Sequence, residues 1–259
     1  MVDGGGAHHG AELHVREAVD SRRLKTMRTV AGVAILAVTG LVLAPAQALD
    51  GAAEISRVDA AVQARYINVL GFTDIEHYAV FRGDDETHPV AEMTVKDTYK
   101  KDVGKTYTVL SESGSGIVLR FGLKPLLENE EAINEPGNVE NSWFTSANYA
   151  MKLKPGGVQK KNGRDCFVFD ITPNQEAPNL IKGTMWVDAR DGTLVEIDGV
   201  GSKSPSAFSG AAHMMRQYSN IDGFSMATHA RAESDSFLFG RSVVVIDYSN
   251  YHLQIRGNK

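Results

Sequence analysis

The chain has 259 residues, 42% of them hydrophobic and 23% charged, with a net charge of −5 and one cysteine. That length suits one large domain or two small ones, and the ordinary composition excludes wholesale disorder and collagen-like repeats. The acidic balance argues against a dedicated nucleic-acid binder, and a lone cysteine excludes both an intramolecular disulfide and a zinc site built on several thiolates.

Residues 1–20 are rich in Gly and His and show no apolar period. Arg22, Arg23, Lys25 and Arg28 then precede 15 uncharged residues, Thr29 to Leu43, and the small-residue run Ala44-Pro45-Ala46-Gln47-Ala48. A basic segment, an apolar segment and a small-x-small site are the grammar of an export signal, with cleavage expected after Ala48. As helix the apolar segment reaches roughly 22 Å, short of a ~30 Å hydrocarbon core, and Pro45 breaks it. The expected organisation is an extension and signal peptide over 1–48, with Met27 an alternative start, and a single periplasmic domain over 49–259. Cleavage leaves 211 residues with 22 Lys/Arg against 28 Asp/Glu, a charge of −6.

Ile55, Val58, Val62, Tyr66 and Val69 recur at helical spacing, which predicts a helix over 53–69 stopped by Gly71. The period then changes to two. Ile75, His77, Ala79 and Phe81 alternate with Glu76, Tyr78, Val80 and Arg82. Strands around 91–95 and 106–109 follow, each polar on one face. Ser111 to Gly116 reads as a connector. Residues 117–121 make one or two helical turns. Pro125 opens a helix over 126–133, and a third short helix over 138–145 carries Trp143 and Phe144. Strands resume at 148–153, 166–171, 182–188 and 193–200, a loop spans 201–210, and strands at 213–221, 224–233 and 241–251 close the chain. The Asp-Gly pairs at 191–192 and 222–223 are hairpin signals. Serial hairpins build a meander with too few helices to cover both faces. The fold class expected is α+β: a strongly curved antiparallel sheet forming an unclosed β-barrel, with an N-terminal helix and a central helical lid.

Chemistry-bearing patterns are sparse. No G-x-S-x-G elbow, Walker loop or dinucleotide loop is present, and Cys166 reads as a small, partly buried sheet residue. His77, His88, His213, His229 and His252 lack metal-ligand spacing, and neither a metal nor a cofactor is expected. Asp188 and Asp191 flank a hairpin turn and read as turn supports. The basic stretch Lys152, Lys154, Lys160, Lys161 and Arg164 reads as solvated hairpin charge, with anionic headgroups or an acidic partner as the rival reading. What remains is an apolar surplus in the insert: Ile117, Val118, Leu119, Phe121, Leu123, Leu126, Leu127, Trp143 and Phe144. Either it completes the core, or lid and sheet enclose a lipid-sized space. Met185, Met214, Met215 and Met226 suit an adaptable apolar lining.

The hairpin Trp186-Val187-Asp188-Ala189-Arg190-Asp191-Gly192-Thr193-Leu194-Val195-Glu196-Ile197 resembles one that recurs in the LolA-like superfamily. Cys166-Phe167-Val168-Phe169-Asp170-Ile171 fits the strand before it. Asn141-Ser142-Trp143-Phe144 with Asn148-Tyr149 is similar to outer-membrane lipoprotein-sorting proteins. The resemblance covers about 53–252. It implies an unclosed barrel over a cavity for acyl chains, serving lipoprotein sorting or lipid binding without catalysis. No residue is matched to the cavity arginine of the transport proteins. The chain ends soon after Tyr251, where the superfamily's envelope-stress regulators carry a further domain, so that role is not the one expected.

The expected function is a periplasmic, non-enzymatic carrier for lipid or lipoprotein acyl chains. Its rivals are an envelope sensor or interaction module and an envelope lipid hydrolase. The candidate cavity and lid residues on the first half of the chain are Met93, Val95, Tyr107, Phe121, Leu126 and Leu127. Trp143, Phe144, Phe169, Met185, Val187, Met214 and Met226 complete the set, with Arg120 and Lys124 as headgroup contacts. The partners expected are acyl chains and, beyond them, envelope membrane proteins but not nucleic acid, and the chain is expected to be a monomer.

Overall fold

The computed structural model describes residues 51–177, 179–203, 211–236 and 240–257. The expected 1–48 extension, its cleavage site and most of the 201–210 loop lie outside the described residues. Helix α1 (Gly51–Asn68) leads into β1 (Val69–Arg82), β2 (Ala91–Lys100) and β3 (Gly104–Gly114). A continuous helical segment follows: α2 (Gly116–Val118), a π turn (Leu119–Leu123) and α3 (Lys124–Ile133). After a 3-10 turn (Val139–Ser142) come β4 (Tyr149–Leu153), β5 (Gln159–Lys161), β6 (Arg164–Pro173), β7 (Ile181–Asp188), β8 (Leu194–Gly201), β9 (His213–Ile221), β10 (Phe224–Ser236) and β11 (Gly240–Ile255). Among the described residues no helix is long and apolar enough to cross a membrane.

The strands form one antiparallel sheet in the order β3-β2-β1-β11-β10-β9-β8-β7-β6-β4, with β5 paired to β6. The meander is broken once, where the last strand returns to lie beside the first. β3 and β4 end the order, so the barrel is unclosed. Two apolar clusters cover the helix-bearing face. In one, Val58 of α1 meets Phe167, Phe169, Ile171, Met185, Val187 and Ile197 of β6–β8. In the other, Val118, Leu119, Leu123 and Leu127 of the lid meet Tyr78, Val80, Ala91, Met93 and Val95 of β1 and β2.

Several elements differ from the sequence expectation, each for a local reason. Gly71 does not stop α1. The helix ends at Asn68, whose side-chain amide donates to the Ala64 carbonyl at 2.8 Å. Gly71 lies inside β1, where a Cβ would stand 2.8 Å from the Tyr99 carbonyl oxygen, so the glycine permits a close strand approach. Residues 111–114 are not a connector but the end of β3, because pairing with β2 continues to Ala91 and Gly114. Ladder hydrogen bonds outweigh the weak strand propensity of Ser and Gly there. Trp143 and Phe144 stand beyond the short helix, Trp143 on extended backbone and Phe144 inside a tight turn closed by the Thr145 N–H on the Trp143 carbonyl at 2.9 Å. The π turn has a cause in Pro125, which lacks an N–H for the Phe121 carbonyl and crowds it. The ladder widens, and Lys124 N–H bonds the Leu119 carbonyl instead.

Candidate ligand site beneath the helical lid

The lid closes over an apolar floor. Leu123, 1% exposed, is its deepest anchor, with Leu119 and Leu127 a turn to either side. Beneath them, Met93 and Val95 are 1% and 0% exposed and share a face with their cross-strand partners, Tyr78 and Glu76 of β1. Leu126, Tyr107, Val244 and Ile246 pack at the margin. A side-chain oxygen of Glu131 on the lid accepts the Tyr107 N–H at 3.3 Å.

The candidate residues thus fall into two groups. Met93, Val95, Tyr107, Leu126 and Leu127 belong to the lid cluster. Phe169, Met185 and Val187 are buried with α1, and Phe144 and Met214 pack against them. Trp143 meets the Tyr66 ring of α1 with centroids 4.3 Å apart. Met226 is buried, and Arg65 Nε donates to its sulfur at 3.3 Å. Met215 falls on the face of β9 opposite Met214, by the alternation of a strand. Phe121 stands apart, 70% exposed, with the Arg120 guanidinium over its ring. Arg120 and Lys124 are exposed too, Lys124 paired with Glu112 at 3.2 Å.

α1 is fixed by polar contacts as well as by packing. Arg57 donates to the Ala189 and Arg190 carbonyls of the β7–β8 turn. Asp59 accepts the Ser146 N–H at 2.8 Å and its hydroxyl at 2.5 Å.

Between the two clusters in strand order lies a polar seam that sequence reading missed. Arg216 of β9 approaches Glu130 of the lid at 4.0 Å. Burial opposes its charge, but Tyr248, Tyr218 and Glu130 outweigh that and raise the guanidinium further. Period-two alternation from Met214 was the signal that could have placed Arg216 inward.

On β1 the inward row is Asp74, Glu76, Tyr78 and Val80, each paired with the inward row of β2. The polar-looking face of that strand is therefore the one beneath the lid. Its cost is offset locally: Tyr78 donates to Glu76, and Lys105 lies 2.8 Å from Glu76 Oε1 and 3.3 Å from Asp97 Oδ2. Burial pushes the Asp97 carboxyl up, Lys105 acting against it, and burial with the Glu76 charge pushes Asp74 up. Burial opposes the Lys105 charge, and Glu76 outweighs it and raises the ammonium well above its ordinary value.

The groups considered for nucleophilic chemistry are otherwise engaged. Cys166 is 0% exposed, its Sγ 3.5 Å from the Arg164 carbonyl, and burial pushes the thiol up, so the reactive thiolate is disfavoured. His77, His88, His213 and His229 each face one carboxylate on separate parts of the sheet: Glu92, Asp85, Asp198 and Asp247. The basic stretch is answered by acids, with Lys154 on Asp170, Lys160 on Asp165, Lys161 on Glu196 and Arg164 on Asp188.

No protein-family model matches the chain, and no curated protein matches it. Among solved structures it is similar to a LolA superfamily protein from Nitrosomonas europaea, with 11% identity and a TM-score of 0.43 over 80% of this chain and 94% of that one. It is similar to a DUF1329 family protein from Desulfovibrio piger, with 15% identity and a TM-score of 0.41 over 80% and 94%. It is also similar to a domain from Vibrio parahaemolyticus described as an outer membrane lipoprotein-sorting protein, with 14% identity and a TM-score of 0.42 over 80% and 92%.

Proposed function

We propose that the chain is an exported, non-enzymatic carrier that holds lipid or lipoprotein acyl chains between lid and sheet. The observation that carries this reading is the lid underside: Leu119, Leu123 and Leu127 seal a floor of Tyr78, Val80, Met93 and Val95 in an open sheet. An acyl chain replaces those leucines when the lid lifts. Burying ten methylenes yields roughly 8 kcal/mol gross, and re-exposing three leucines costs roughly 5–9 kcal/mol. That near balance suits a protein that must release what it binds. Lining residues farther along the sheet, Phe169, Met185, Val187 and Met214, extend the path if α1 yields as well.

The test is delipidated full chain titrated with a fluorescent fatty acid and with a diacylated peptide. Saturable binding is expected, weakened at least tenfold by Met93→Asp or Val95→Asp with the rest of the sheet intact by circular dichroism. Absence of saturable binding overturns the carrier. The exposed Ile117 and Phe121, 68% and 70%, favour an interaction module as the second reading. That reading is met by retention of a soluble envelope protein that Phe121→Ser abolishes.

A further inference from the structure

Three carboxylates share one buried spot on the lid-facing side of β1 and β2. Asp74 and Glu76 are two residues apart on β1, and Asp97 is the cross-strand partner of Asp74. They are 2%, 1% and 0% exposed, and one oxygen from each lies within 4.8 Å of the other two. Buried carboxylates are ordinarily hydrogen-bonded. Glu76 obeys this, taking the Tyr78 hydroxyl on one oxygen and the Lys105 ammonium on the other. Asp74 and Asp97 do not: among the described residues, none of their four oxygens receives a hydrogen bond. The Tyr107 hydroxyl, on the β3 residue opposite Asp97, is a further buried oxygen without a hydrogen-bond partner among the described residues.

The charges point the same way. Lys105 is shared between two of the three carboxylates, at 2.8 Å from Glu76 and 3.3 Å from Asp97. One ammonium against three carboxylates leaves the cluster rich in acid in a dry interior, and burial pushes Asp74 and Asp97 toward the neutral form. A divalent cation would take the place of those protons and give the orphaned oxygens a partner.

We propose that Asp74, Glu76 and Asp97 form a buried calcium site joining β1 to β2. An oxygen-only donor set selects a hard cation. Ligands on opposite sides of Ca2+ at ~2.4 Å stand ~4.8 Å apart, a span this cluster meets. Mg2+ sheds water reluctantly and demands near-ideal octahedral geometry, whereas Ca2+ accepts many protein oxygens in irregular arrangements. Each of the three residues offers one oxygen to that span. The site lies on the same face of β1 and β2 as the lid floor, beyond Val95, and does not depend on what the lid covers.

The experiment uses full chain stripped with a chelator and titrated with CaCl2 at pH 7.5, followed by equilibrium dialysis with radioactive calcium and by thermal denaturation. One Ca2+ per chain and a saturating rise in Tm are expected. Affinity should fall at least tenfold in Asp97→Asn, and likewise in Asp74→Asn, which serves if the first variant does not fold. Lys105→Gln should bind Ca2+ more tightly, because a competing ammonium is gone. No stoichiometric binding, or binding unchanged in both Asp variants, overturns the site. Equal competition by Mg2+ overturns its assignment to calcium.

Discussion

Asp188 serves the β7–β8 turn with both oxygens of one carboxylate. Oδ1 accepts the Arg190 N–H at 2.8 Å, and Oδ2 accepts Arg164 Nε at 2.8 Å. Burial alone would raise this group, but the Arg190 N–H and the Arg164 guanidinium outweigh it and hold the carboxyl below its ordinary value. A carboxylate depressed on folding contributes stability that is present above the unfolded carboxylate range, about pH 4, and lost as pH falls through the folded value. Asp188→Asn should therefore cost roughly 1.5–3 kcal/mol at neutral pH, the worth of hydrogen bonds to a charged group, and flatten the stability curve below pH 4. Urea melts from pH 2 to 7 check this; an acid limb identical to that of the parent chain refutes it. Asp191 supports the same turn, taking the Thr193 N–H at 3.0 Å and its hydroxyl at 2.6 Å. The turn roles of both residues were legible in the sequence because the turn N–H groups they accept lie two positions on. Glu76 and Asp97 were not. Their compensation comes from Lys105 on a third strand, and a partner that distant leaves no mark on the local pattern.

Curvature is set at the level of paired strands, and two glycines mark where β7 and β8 come closest. Gly183 and Gly199 are cross-strand partners. A Cβ at Gly183 would stand 2.2 Å from the Asp198 carbonyl oxygen, and one at Gly199 would stand 2.4 Å from that of Lys182. No side chain fits without parting the strands, so the pair allows a bend that larger residues would prevent. Gly183→Val should destabilise the chain by about 1–3 kcal/mol or more, as overpacking does, and Gly199→Val likewise. Denaturant midpoints measure this, and a midpoint within error of the parent for either variant would refute the close approach. Elements of this sheet were readable where alternation was strong, as in β2, β6 and the 186–197 hairpin. The sequence reading went astray where pairing overrides propensity, at residues 111–114, and where a short strand such as β5 exists only by lying against β6. On β1 both rows carry apolar residues, Ala79 and Phe81 on one side and Tyr78 and Val80 on the other, and both are buried. Composition alone gave no basis there for choosing the row beneath the lid.

Across the whole molecule, the two apolar clusters are unequal. β6 is buried on both faces, with Cys166, Phe167, Val168, Phe169 and Ile171 all below a tenth exposed. The lid is held by one stripe, Val118, Leu119, Leu123 and Leu127, with solvent on its outer side at Ile117, Arg120, Phe121 and Lys124. The existence of a lid was legible in the apolar surplus of residues 117–127. Its separateness from the α1 cluster was not, because sequence does not show which strands each helix covers. Elements with few buried contacts open locally at lower free energy than the core. Amides of 119–133 should then exchange orders of magnitude faster than those of β6 and β7 in native-state hydrogen exchange read by mass spectrometry. Leu123→Ala, removing the deepest anchor, should weaken lid closure by about 2–5 kcal/mol and speed exchange in that segment while leaving β6 unchanged. An acyl ligand that takes the place of those leucines on the floor should speed it in the parent chain as well. Exchange of lid and β6 at one common rate would mean the lid opens only with global unfolding, and the proposed route for an acyl chain to the floor would be lost.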